Sequence, residues 1–196
     1  MASSWIAYNE LAWTEDLLAD PSDYESEAGG YVDLIKGNAL HAPGTLLHLG
    51  CGAGGYDAVF KRHFAVTGVD ISRGMLDKPV GVLLVAGKTR EIFSDNNFAY
   101  TGEQGDLHVT LLENNHINRH CPDTYEAVLV YLIRRRGKLT LHTERHVLGL
   151  FPQEAWEKVF TDAGLTMQEA DLDGAYDKYL LGGGAYPLKI FTGRKG

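Results

Sequence analysis

The sequence predicts an α/β fold: a doubly wound parallel sheet preceded by N-terminal helices and followed by an antiparallel β extension. Three observations carry this expectation. Apolar runs at Thr45–Leu49 and Ala65–Val69 flank a helical segment at 56–64, the order of a βαβ unit. From Gly102 onward the chain turns to alternating, β-forming segments. Amphipathic helical stretches fill residues 1–40.

At the N-terminus, Leu11, Leu17 and Leu18 stand beside Trp5, Tyr8 and Trp13 until Asp20, Pro21, Ser22 and Asp23 stop the pattern. Two short helices are expected. Ser22 or Asp23 can cap the second, which carries Tyr24, Ala28, Tyr31, Leu34 and Ile35 on one side and ends at Gly37 and Asn38. Beyond Pro43 and Gly44, the runs 45–49, 65–69 and 82–86 each suit a buried parallel strand. Val59, Phe60 and His63 fall on one side of the helix between the first two.

Segments 107–111, 124–133 and 139–143 make an expected antiparallel meander, with a turn at Arg134, Arg135, Arg136 and Gly137. Pro152 then opens a helix whose Ala155, Trp156, Val159, Phe160 and Ala163 form one stripe before Gly164. Gly182, Gly183 and Gly184 form a loop, and 186–192 reads as a closing strand.

Composition narrows the function. With 196 residues, 44% hydrophobic and 22% charged, the chain is neither disordered nor fibrous. Eighteen Lys and Arg against 26 Asp and Glu give a net charge of −8, which repels nucleic acid phosphate and anionic lipid. Cys51 and Cys121 form no CxxC pair, so a reduced, cytoplasmic setting is expected. No basic, then apolar leader opens the sequence, and no apolar window reaches the ~18 residues of a membrane span.

The strongest local signal is Gly50, Cys51, Gly52, Ala53, Gly54 and Gly55 at the end of one strand, with Asp70 at the end of the next, twenty residues after Gly50. Glycines let a ligand lie against bare backbone, a helix start offers free N–H groups, and the distant carboxylate can accept both hydroxyls of a ribose. Glycines in such a turn also serve packing alone. With Asp70 in place, the pattern favours a nucleoside site.

The run from His48 to Gly54, then Val66 to Ser72 with Gly74, Met75 and Leu76, resembles the first two motifs of class I S-adenosylmethionine-dependent methyltransferases. That resemblance implies a Rossmann-like sheet and S-adenosylmethionine as cofactor. It implies that Gly50, Gly52 and Gly54 face the methionine part, that Asp70 holds the ribose and that Ile71 packs on adenine, with Cys51, Ala53, Met75 and Tyr24 completing the contacts. The stretch from Gly149 to Trp156, and Asp162 to Leu165, resembles the late helix of sugar and amine N-methyltransferases. One domain over 1–196 follows: a helical lid at 1–40, a cofactor-binding core at 45–87, the extension at 102–148, and a final helix and strand at 152–196.

Two positions depart from that family. His48 stands where an acid is usual; a neutral imidazole can accept a hydrogen bond there, or serve the core. The segment from Met75 to Leu84 joins the second strand directly to what resembles the fifth, without the two intervening βα units. A parallel crossover needs about a dozen residues or more, which 72–80 barely supplies. Either those units are lost, or the sequence as written omits residues between Asp77 and Lys78.

Methyl transfer from a sulfonium is an in-line displacement, requiring an acceptor N or O held about 3 Å from the methyl carbon with water excluded. His or a carboxylate can take the acceptor's proton. His108, His116, His120, His142, Glu144 and His146 are candidates, and on a strand His142, Glu144 and His146 project to one side, lining a pocket or a solvated face. No His-Glu-x-x-His spacing occurs, so no metal is expected. Arg134, Arg135 and Arg136 fit an anionic substrate or a charged hairpin tip. Tyr8 or Tyr24 can line the cleft, or pack in the core with Trp5 and Trp13. The expected reaction is methylation of N or O on a small-molecule acceptor, with a homodimer as the possible assembly. Two other readings are an NAD-dependent oxidoreductase, since Gly50, Gly52 and Gly55 also spell Gly-x-Gly-x-x-Gly, and a truncated, non-catalytic nucleoside-binding or partner module.

Overall fold

The computed structural model describes residues 5–8, 10–39, 41–51, 54–69, 82–172 and 174–195. Two 3-10 turns, Ile6–Tyr8 and Ala12–Thr14, lead into α1 (Glu15–Leu18) and α2 (Pro21–Asn38). The chain continues through β1 (Thr45–Leu49), α3 (Gly55–Phe60), β2 (Ala65–Val69) and β3 (Val82–Gly87). It then runs through β4 (Asn96–Gln104), β5 (Leu107–Ile117), β6 (Thr124–Arg135), β7 (Lys138–Gly149), α4 (Gln153–Asp162), β8 (Leu165–Asp171) and β9 (Lys189–Lys195). It divides into two compact units, each assembled from three stretches: residues 1–20, 88–153 and 172–188 in the first, 21–87, 154–171 and 189–196 in the second. The N-terminal helices, expected as one lid, are shared between the two.

The first unit is built on the meander β4-β5-β6-β7, antiparallel throughout. The β4–β5 and β6–β7 turns are each two residues long, and in the second, Arg136 and Gly137 have φ of 50° and 75°. Positive φ at both positions matches the right-handed twist of the flanking strands. Side chains alternate across the sheet, so Val109, Tyr131 and Ile133 face inward and pack with Leu11 of the N-terminal segment. Further along the same face, Phe98 packs with Tyr186 and Leu188, and Leu180 bridges back to Phe98. Gly102 permits a close approach, since a Cβ there would lie 1.8 Å from the Leu17 carbonyl oxygen. β4 went unread in the sequence because Asn96, Asn97 and Gly102 dilute its β-forming pattern.

The second unit holds two sheets. β1 and β2 pair in parallel, from Thr45 opposite Ala65 to Leu49 opposite Val69, as the βαβ reading requires. β3 was expected in a parallel sheet but pairs antiparallel with β9, which pairs antiparallel with β8 on its other side. One continuous doubly wound sheet is therefore not formed among the described residues. β8 was missed because Gln168 and Glu169 interrupt its apolar pattern. α2 starts at Pro21, where a missing N–H costs nothing, so Ser22 and Asp23 sit inside its first turn instead of capping it. Ala28, Tyr31, Val32 and Ile35 are its buried face. On α4 the apolar stripe is narrower than expected. Phe160 is buried, Val159 is 56% exposed, and Trp156 stacks on Phe191 with ring centroids 5.7 Å apart.

Candidate active site

In the second unit, β1 ends at Leu49 and the chain reverses through the glycine loop into α3. Gly50 (φ 71°) and Gly54 (φ 84°) both occupy the left-handed region, where a side chain would strain the backbone. A Cβ built on Gly50 meets nothing within 4 Å among the described residues, so they leave open space beside bare backbone at this turn. The Gly54 amide donates to the Cys51 carbonyl at 2.9 Å, closing the turn, while the Cys51 side chain is buried. Gly55 has a different reason: a Cβ there would sit 2.7 Å from the Tyr24 ring, so Tyr24 of α2 lies directly against the start of α3. The Tyr24 ring meets Tyr56 edge-on at 5.1 Å, and Tyr56 and Tyr31 both donate to Glu27, at 2.8 and 2.5 Å.

His48 faces Asp57 of α3, with Nδ1 2.6 Å from Oδ1. Asp57 is itself buried, and its Oδ2 would lie 2.9 Å from a Cβ on Gly68 of β2. Strand, loop and helix are thus locked by one imidazole–carboxylate contact.

In the first unit, His142, Glu144 and His146 share the inner side of β7, as the strand spacing predicts. Glu144 accepts the backbone N–H groups of Ile6 at 2.8 Å and Ala7 at 3.0 Å, and its Oε2 lies 3.2 Å from His146 Nε2. Burial works against the Glu144 charge, but the Ala7 amide, His146 and the Ile6 amide outweigh it and hold the carboxyl below its ordinary range. Trp5 stacks on the His146 ring, centroids 4.1 Å apart and planes 15° apart. His142 is half-buried farther along the strand.

No protein-family model and no curated protein sequence matches the chain. Solved structures do. Streptomyces venezuelae DesVI superposes with a TM-score of 0.68 at 18% identity, over 89% of this chain and 92% of that one. The sugar N-methyltransferase KedS8 from Streptoalloteichus gives 0.66 at 16% identity, over 100% and 95%. CalS10, an amino pentose methyltransferase from Micromonospora echinaspora solved with SAM bound, gives 0.63 at 15% identity, over 100% of both chains. This chain has a methyltransferase-like α/β fold.

Within that fold, Gly50, Cys51, Gly54 and Tyr24 come together around the loop in the second unit. Gly52, Ala53, Asp70, Ile71, Met75 and the Asp77–Lys78 junction lie outside the described residues. Gly50 and Gly54 fit a cradle for a nucleoside cofactor, because both hold conformations suited to glycine and the space at Gly50 is open. His108 and Arg134 lie opposite one another on the outward side of β5 and β6, lining a shallow cavity of about 450 Å³ with Thr110 and Leu132. His116 pairs with Asp95 at 2.7 Å on the surface, and His120 is exposed in the loop before β6. Asp57 was overlooked in the sequence. Its signal was an acid in the first turn of the helix behind the glycine loop, a position that the positive end of the helix favours. Among the described residues, no group of three His, Cys, Asp or Glu side chains is placed to hold a metal ion, and no helix is long and apolar enough to cross a membrane.

Proposed function

We propose that the protein transfers a methyl group from S-adenosylmethionine to a nitrogen or oxygen of a small molecule. The observation that carries this reading is the glycine loop at the carboxyl end of β1. Two left-handed glycines shape the turn there, and among the described residues the space beside Gly50 is open, in a chain that superposes on KedS8 and on SAM-bound CalS10. Gly50, Gly52 and Gly54 would hold the methionine part of the cofactor and Asp70 the ribose, with Ile71, Met75 and Tyr24 against the adenosine. When bound, the cofactor supplies an electrophilic methyl on sulfur. β2-β1 and β3-β9-β8 are the two parts of a Rossmann-like sheet in this reading.

The chain's own groups bind, orient and exclude water. Tyr24 closes the helix side of the loop, and the His48–Asp57 contact fixes the strand end that carries Gly50. On β7, Glu144 stays ionised at neutral pH and is committed to the Ile6 and Ala7 amides, so its role is to seat the N-terminal segment over the meander's inner face. His146 supports the same segment under Trp5.

Titration calorimetry with S-adenosylmethionine and S-adenosylhomocysteine tests the reading. Saturable binding of both, weakened by Gly50→Ala, is expected. Heat with NADH and none with either adenosyl compound would refute it in favour of the oxidoreductase alternative.

A further inference from the structure

We infer that the outward face of the first unit's meander is the docking surface for a second copy of this chain, with the two β6 strands crossing antiparallel over Val130. This is independent of the methyl-transfer reading. Along an antiparallel strand with one face on a core and the other in water, apolar and polar residues alternate. β6 breaks that rule, since Ala127 to Ile133 is apolar at every position. Ala127, Tyr131 and Ile133 are buried on the inner side, so Val128, Val130 and Leu132 point outward. The neighbouring strands add to the same face. Leu112 of β5 lies opposite Val130, and on β7 Leu141 lies opposite Leu132 and Val147 opposite Glu126. These three are 37, 58 and 49% exposed. A contiguous apolar face of this kind marks an interaction surface.

The face complements itself. Its β6 residues run Glu126, Val128, Val130, Leu132 and Arg134, with an acid at one end, a base at the other and apolar side chains between. A twofold axis lying between two such faces, perpendicular to the strands, sets Val130 on Val130. It sets Val128 on Leu132 and Glu126 on Arg134, each of these contacts occurring twice, as an isologous interface requires. The remaining charges agree with this choice of axis. Among the described residues Arg134 has no hydrogen-bond or ion-pair partner, and Glu103, the outward acid at its end, is taken by His108. At the opposite end Asp95 bonds His116, and Glu126 bonds Arg145 and Asn118, so two acids share one arginine. The end with a cation to spare therefore meets the end that lacks one. Arg134 also borders the shallow cavity it shares with His108, Thr110 and Leu132, which gives Glu126 of the second copy room to enter.

The area suffices. Four strands about 4.8 Å apart carry five outward rows about 6.8 Å apart, a face of roughly 650 Å² before side-chain relief is counted. A stable interface of standard size takes about 800 Å² from each partner. Two sheets packed in this way stand about 10 Å apart, with strand directions within about 30° of each other, so the outward side chains of both copies interdigitate into one apolar layer. The occupant is a second copy because the pattern on β6 matches its own reverse.

Sedimentation equilibrium of the full chain tests the assembly. Wild type is expected at twice the 21.6 kDa of one chain. Leu141→Glu is expected to weaken the dimer at least about thirtyfold and Arg134→Glu about tenfold, each with an unchanged far-UV circular dichroism spectrum. Arg134 is exposed, so its variant reads the interface even where Leu141→Glu does not fold. Cross-linking with a short bis-maleimide tests the axis, in a Cys121→Ser background because Cys51 is buried. Val130→Cys is expected to link to itself, and Leu139→Cys to link to Val147→Cys in a mixture of the two but not to itself. A single-chain mass at about 100 μM overturns the proposal. So does a dimer that Arg134→Glu leaves unchanged, or one in which Leu139→Cys links to itself while Val130→Cys does not.

Discussion

Replacing Glu144 by Gln removes a charge while keeping the side chain's size, and the structure states what that charge does. Two backbone donors, Ile6 and Ala7, converge on the two carboxylate oxygens at 2.8 and 3.0 Å, and the side chain is only 12% exposed. Hydrogen bonds to a charged group contribute about 1.5–3 kcal/mol each. An amide has one acceptor oxygen, so Glu144→Gln leaves one donor facing an NH₂ group and should destabilise the docked N-terminal segment by about 2 kcal/mol. That is roughly a thirtyfold change in the opening equilibrium. Native-state hydrogen exchange at the Ile6 and Ala7 amides reads it directly, and Trp5 fluorescence follows the same event because Trp5 stacks on His146. The pH dependence has a definite sign. The folded carboxyl is held below its unfolded value of about 4.3, so its contribution is complete above that pH and is lost as pH falls through the folded pKa. Glu144→Gln should lack this acid-dependent opening. Unchanged exchange at Ile6 and Ala7, or an acid transition that survives in the variant, would refute the assignment.

Gly50→Ala places a methyl in open space at φ 71°, so far-UV circular dichroism and urea unfolding should show a loss of only about 1–2 kcal/mol while affinity for S-adenosylhomocysteine falls more than about tenfold. Gly102→Ala sets a Cβ 1.8 Å from the Leu17 carbonyl oxygen, which is rigid backbone, and should cost about 3 kcal/mol in urea unfolding. Phe160→Ala empties a side-chain site that is 1% exposed against Gly193 and should cost about 3–5 kcal/mol in the same assay.

Local patterns announced the fold wherever one period dominated. The βαβ unit read correctly because its two strands are mostly apolar and are followed by glycine or aspartate, and the β6–β7 turn because a Gly at its second position admits positive φ. β4 and β8 carry Asn, Gln and Glu on exposed or edge positions, where pairing and not hydrophobicity fixes the strand. The antiparallel setting of β3 was illegible for another reason. An apolar run has no direction of its own, and its partner β9 lies over a hundred residues away in sequence. The short connection after β2 did contain the warning. Its length barely suffices for a parallel crossover, and among the described residues β3 joins a different sheet from β1 and β2.

For the candidate site, the sequence revealed what glycine reveals. Gly50 and Gly54 need left-handed backbone, and no other residue type advertises a conformation so plainly. Strand alternation likewise put His142, Glu144 and His146 on one side, yet alternation says nothing about what meets them there. The Ile6 and Ala7 amides, 138 and 137 residues from Glu144, convert a candidate base into an anchor for the N-terminal segment. Asp57 shows the same limit from the other direction. The acid missing from the strand at His48 stands nine residues on, in α3, and reaches the imidazole only because the loop folds helix against strand. Chemistry that depends on backbone conformation is written locally, while a side chain's role that depends on its partners exists only after the chain has folded.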